Sequence, residues 1–188
     1  MNAKQLPLLV VVTGPPGAGK TAVARAVAER VQVPLVAKDS FKELLWERLG
    51  ASDLEGSRQL GRASFDLLFL LVGELLRKDV SVVAEGNFST ADPFHALPPA
   101  RVFQLHVSAD LQTLLARYRN RGDRHPAHPD VDYEPEIVRR MSGEDWRPLR
   151  IGGELHEIDT TKFPDLAALT ERVASWAAAR SPRRARGA

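Results

Sequence analysis

Eight residues near the amino terminus, Gly14-Pro15-Pro16-Gly17-Ala18-Gly19-Lys20-Thr21, run as Gly, four free positions and then Gly-Lys-Thr. That spacing suits a loop wrapped around phosphate oxygens. Glycines let successive backbone N–H groups turn inward, and no Cβ stands between backbone and anion. Lys20 offers a point charge to the β- and γ-phosphates, and the Thr21 hydroxyl is a hard oxygen ligand for Mg²⁺. A helix beginning here adds the positive end of its dipole. Residues 14–21 are therefore read as a nucleotide site.

Such a loop does not say what receives the phosphoryl group, so carboxylates elsewhere must decide. Asp39, in Lys38-Asp39-Ser40, follows a short apolar run. A carboxylate there can orient an acceptor hydroxyl and take its proton late in transfer, although Asp also serves as a plain helix N-cap. Glu85 directly follows Val82-Val83-Ala84 and stands where an acidic residue steadies Mg²⁺, directly or through water. It could instead bind substrate, act as a second candidate base, or sit as a turn carboxylate in solvent. Arg117 and Arg121 are four apart and project together from one helix face, with Arg124 just beyond. Arginines on a closing lid stabilise the charge of a transferring phosphoryl group and exclude water. Arg119 points away from that pair. His125 and His128, among Asp123, Asp130 and Asp132, could suggest a metal site, but the prolines break regular ligand spacing. Hard Mg²⁺ prefers oxygen, so lid structure or substrate contact is the better reading. Trp46, Trp146 and Trp176 read as core or lid packing.

These residues need elements to hold them. Residues 6–13 read as a buried strand, and 21–31 as an amphipathic helix with Val23, Val27 and Val31 on one face. Strand, glycine loop and helix thus come in the order that the motif requires. Further strands are expected at 33–37, 80–84, 102–107 and 155–158. A helix over 41–49 has Phe41, Leu44, Leu45 and Leu49 sharing a face, and Asp39 or Ser40 as its cap. A longer helix over about 58–78 has Leu60, Ala63, Leu67, Leu71 and Leu75 as its buried stripe. Others are expected at about 109–122, from Pro135 to about Asp145, and after Pro164. Strands alternating with helices specify an α/β fold with a parallel sheet covered on both faces. In such sheets ligands sit beyond the carboxyl ends of the strands, which is where Lys20, Asp39 and Glu85 all fall.

With 188 residues and 44% hydrophobic content the chain can bury a full core as a single domain, 1–179, followed by a disordered basic tail, 180–188. There is no cysteine, which excludes disulfide and thiol chemistry. Without a signal-like apolar stretch at the start, and with its longest other apolar run at 67–72, the chain is expected to be cytoplasmic with no membrane partner. The formal charge is +2, and much of the basicity belongs to the tail. The near-neutral body argues against a large nucleic-acid surface.

The chain resembles the P-loop kinases that include chloramphenicol phosphotransferase, the kinase domain of polynucleotide kinase, the zeta toxins and many small ATP-binding AAA-type kinase domains. The likeness rests on Gly14 to Thr21, Lys38-Asp39-Ser40-Phe41-Lys42, residues 82–88, and Arg117 to Arg121 leading into residues 124–128. The resemblance implies a P-loop NTPase three-layer sandwich, with a five-stranded parallel sheet in the order 2-3-1-4-5. It also implies ATP at residues 14–21 and a lid at about 117–132. In that family an Asp at the place of Asp39 acts on the acceptor hydroxyl, and Asp159, Thr160 and Thr161 would neighbour the nucleotide base. Polynucleotide kinase pairs the Asp with an Arg three positions on. Lys42 stands there in this chain, which weakens the case for a nucleic-acid 5′ end. The expectation is an ATP- and Mg²⁺-dependent kinase for a small-molecule hydroxyl, with Lys20, Asp39, Arg117 and Arg121 catalytic and Thr21 and Glu85 on the metal. The alternatives are a polynucleotide or nucleoside 5′-hydroxyl kinase, or a non-catalytic nucleotide-binding or toxin-like module.

Overall fold

The computed structural model describes residues 5–51, 53–120, 125–128 and 146–179. In chain order the elements are β1 (Leu8–Thr13), α1 (Lys20–Val31), β2 (Leu35–Ala37), α2 (Lys38–Leu49), α3 (Leu54–Arg77), β3 (Val82–Glu85), α4 (Asp92–His95), β4 (Arg101–Ser108), α5 (Leu111–Arg119), β5 (Glu154–Asp159) and α6 (Leu166–Ala178). The strands form one sheet in the order β2-β3-β1-β4-β5, and all of its pairings are parallel. This is the α/β fold and the strand order expected from the sequence. The central strand, Leu8–Thr13, is buried along its whole length, as a strand covered on both faces must be.

Alternation along β1 divides the core. Leu8, Val10 and Val12 join Val23 and Val27 of α1, Phe103, Leu105 and Val107 of β4, and Val173 of α6 on one face. Leu9 and Val11 face Leu68, Val72 and Leu76 of α3, together with Phe88 and Phe94, on the other. The α3 stripe differs from expectation. Its buried positions are Ser57, Leu60, Ser64, Leu68, Val72, Gly73 and Leu76, whereas Leu67 and Leu71 are exposed. Residues 67–72 are apolar on every side, so periodicity alone cannot choose the inward face. Ser64 can enter the stripe because its hydroxyl donates to the Leu60 carbonyl, 2.6 Å away, which removes the cost of burying it.

α2 also departs from the sequence reading. It begins at Lys38, with Ala37 at the cap position and no side-chain cap bond. Asp39 lies inside the first turn, so it is not the N-cap. Leu44 and Leu49 are 51% and 71% exposed, and the buried residues of the helix are Lys38 and Lys42. The helix from Pro135, Arg121, Arg124, most of the expected lid and the tail lie outside the described residues.

Candidate active site

The glycine loop joins β1 to α1 and takes its shape from φ angles of 140°, 79° and 85° at Gly14, Gly17 and Gly19. All three lie in the region that side chains rarely adopt. The loop is braced from beneath. Thr160, which follows β5 and is fully buried, has its Oγ1 2.8 Å from the Ala18 carbonyl and 2.9 Å from that of Ser108. Lys20 begins α1, and its Nζ donates to the Pro15 carbonyl across the loop mouth at 2.8 Å. Arg117 on α5 donates to Thr160 Oγ1 at 3.1 Å and to the Thr160 carbonyl at 2.6 Å, and reaches the Gly17 carbonyl at 3.5 Å. Arg117 and Thr160 are thus struts of the loop wall. The sequence singled out Arg117 for a lid and Thr160 for the nucleotide base, but not this bracing, because the contacts span strands far apart in the chain.

Two carboxylates flank Lys20. Glu85 ends β3, pairs in register with Val12 of β1 and is 2% exposed. Burial pushes its carboxyl up and the Asp39 charge adds to this, while Lys20, Lys38 and the adjacent Thr21 hydroxyl oppose it without reversing it. Asp39 moves the opposite way. Loss of hydration to the protein crowded around it would raise its carboxyl, but Lys38, His128 and Lys20 together hold it below the ordinary value. Lys38 Nζ lies 2.9 Å from Asp39 Oδ1. The site therefore contains one carboxylate kept ionised and a second, buried one that retains its proton more readily. Such divergence assigns unlike roles to like groups. Thr21 and Glu85 offer only oxygen donors, a set that fits Mg²⁺, which takes one or two carboxylates together with phosphates and water.

A family model described as an AAA domain matches residues 9–141. The chain belongs to this family. A candidate kinase from Chloroflexus aurantiacus is 31% identical with a TM-score of 0.83, over 92% of this chain and 98% of that one. A sugar kinase from Janibacter (18% identity, TM-score 0.61, 91% and 94% covered) and a gluconokinase from Sinorhizobium meliloti (18%, 0.54, 93% and 94%) share the fold. No curated protein matches the chain. Family, glycine loop and sheet order together make this a member of the P-loop kinase group.

In this P-loop kinase, residues 125–128 are docked on α2. His128 Nε2 lies 3.1 Å from Glu43 Oε1, and His125 Nε2 lies 3.5 Å from Glu47 Oε1. Trp46 meets the His125 ring edge-on, and Ser57 Oγ donates to the Ala127 carbonyl at 3.3 Å. Burial lowers the His128 imidazole, and Asp39 and Glu43 raise it by less. Among the described residues no three His, Asp or Glu side chains are grouped to hold a metal ion. Sequence reasoning gave no role to two neighbours of the site. Lys38 is one. Phe163 is the other, its ring edge 2.8 Å from where a Cβ on Gly19 would lie. The only sequence signal for Lys38 was its place before Asp39, and for Phe163 there was none.

Proposed function

We propose that this P-loop kinase uses ATP and Mg²⁺ to phosphorylate a hydroxyl group of a small molecule. The carrying observation is that Asp39, just after β2, and Lys20, at the mouth of the glycine loop after β1, stand at the same end of one parallel sheet. In this reading the loop N–H groups of residues 14–21 and Lys20 hold the phosphates, with Thr160 supporting the loop beside the nucleotide. Thr21 and Glu85 would hold Mg²⁺, which when bound neutralises charge on the β- and γ-phosphate oxygens. Asp39 accepts a hydrogen bond from the acceptor hydroxyl and aims its oxygen at the γ-phosphorus. As the new O–P bond forms, the bond to the β–γ bridging oxygen breaks, ADP leaves, and the hydroxyl proton passes to Asp39. Arg121 would close over the transferred group and exclude water together with Arg117, whose guanidinium would first exchange its bonds to Thr160 and the Gly17 carbonyl for phosphoryl oxygens. The kinase relatives support phosphoryl transfer as the reaction class, and the sugar kinase and gluconokinase folds make polyols sensible first acceptors to test.

The test compares Asp39→Asn with Lys20→Ala, using ADP release against pooled alcohols, sugars, nucleosides and antibiotics. Asp39→Asn is expected to keep nucleotide affinity and lose on the order of 10²-fold or more in transfer, the scale of a positioned proton acceptor. Lys20→Ala is expected to weaken both. Acceptor phosphorylation at the wild-type rate in Asp39→Asn would remove Asp39 from this role.

A further inference from the structure

Asp39 stands in a pairing that proton transfer does not itself require. Residues adjacent in sequence do not face each other along a helix, yet Lys38 turns back in the first turn of α2 and places Nζ 2.9 Å from Asp39 Oδ1. The lysine side chain is 8% exposed and the aspartate 54%. Lys38 Nζ also lies 5.5 Å from the centroid of the Phe65 ring on α3, and its Cβ is 3.3 Å from where a Cβ on Gly86 would be. Lysine is seldom buried unless paired, because an ammonium ion loses much hydration. Here α2, α3 and the end of β3 enclose the lysine, so the ammonium is the fixed partner and the short, exposed carboxylate conforms to it. Oδ1 is engaged, and among the described residues no group hydrogen-bonds Oδ2.

We propose that Lys38 is a positioning residue for the transfer: it fixes the Asp39 carboxylate through Oδ1, so that Oδ2 is presented to the acceptor hydroxyl. This rests on the reading of Asp39 as the proton acceptor. The other charged groups acting on Asp39 are Lys20 at the start of α1, His128 from the docked segment and Glu85 from β3. Lys42 and Glu43, further along α2, act on His128. Of these groups, Lys38 alone is hydrogen-bonded to Asp39. An oriented, ionised carboxylate of this kind is a weak base. It accepts the proton once the acceptor oxygen has begun to bond phosphorus, and later releases it to solvent.

Lys38→Met removes the charge and keeps an apolar stem, whereas Lys38→Arg keeps a cation. The readout is carboxyl-carbon NMR titration of the full chain, with the Asp39 signal identified by its loss in Asp39→Asn. Lys38→Met is expected to raise the proton affinity of Asp39 by about tenfold, one pH unit. Lys38→Arg should stay near the wild type, and ADP affinity should change less than about threefold in both, since neither removes a phosphate contact. Lys38→Gln serves if the methionine variant does not fold. With any acceptor found in the alcohol screen, the acid limb of kcat should move up by the same interval while KM for ATP holds. An Asp39 midpoint that does not move in a folded, charge-free variant overturns the proposal. The underlying reading fails separately: wild-type transfer by Asp39→Asn would remove the proton acceptor and leave the Lys38-dependent midpoint in place.

Discussion

At Gly14 the backbone sits at φ 140°, and a Cβ there would lie 1.9 Å from the Val107 carbonyl oxygen. That oxygen belongs to β4, the strand beside β1, and cannot yield without shifting the sheet. Gly14→Ala is expected to cost at least about 2 kcal/mol in urea unfolding, through strain and clash together, and to weaken ADP binding in calorimetry. Gly19→Ala should be milder in stability, because its obstacle is the ring edge of Phe163, a side chain 48% exposed and able to move. A similar loss of stability in the two variants would mean that the β4 carbonyl does not set the loop's position. Asp39 and Glu85 make the second residue-scale point. They are the same chemical group a short distance from one lysine, yet their surroundings drive them apart, because Lys38 bonds the first and the sheet buries the second.

Helix α3 shows how an element can be legible while its orientation is not. Its existence follows from the apolar periodicity of residues 58–78, but it starts earlier than that pattern, at Leu54, where the Asp53 carboxylate accepts from the Gly56 N–H at 2.7 Å. Its inward face was misread because leucines occur on both candidate stripes. Leu68 is fully buried and Leu71 is 40% exposed. Leu68→Ala should therefore lose about 2–5 kcal/mol, and Leu71→Ala about 0.5 kcal/mol or less, as read from urea midpoints. Near-equal losses would contradict this packing. Helix α2 inverts the usual rule more sharply, burying two lysines and exposing two leucines. The cause is its neighbours: Phe41 packs against the core, while Lys38 reaches the Phe65 ring of α3 and Glu43 and Glu47 meet the docked segment that carries His128 and His125.

For the molecule as a whole, Glu85 links the site to global stability. Its carboxyl is raised in the fold, so between the ordinary carboxylate value and the raised one the folded state holds more protons than the unfolded chain. Stability then falls as pH rises through that window, and the full penalty stands above it. Glu85→Gln cannot ionise and should melt higher than the wild type at neutral pH, with the difference shrinking in acid. The wild type should gain more from added Mg²⁺ and ADP than the variant does. A variant that melts lower at pH 7 would show that the buried charge is not a net cost. Among the described residues no helix is long and apolar enough to cross a membrane.

The alternation of apolar runs with amphipathic stretches was enough to determine a parallel α/β sheet, because those patterns depend only on which residues avoid water and at what period. The spacing of Gly14 to Thr21 was likewise enough to determine the phosphate loop, since glycine positions are fixed by local backbone geometry. Tertiary structure alone decided which face of α3 turns inward, that Asp39 is held by a buried lysine rather than capping a helix, and that Arg117 and Thr160 brace the loop from across the sheet. Each of these depends on contacts between segments far apart in the chain or on solvent exclusion by several elements at once, and neither leaves a periodic trace along the sequence.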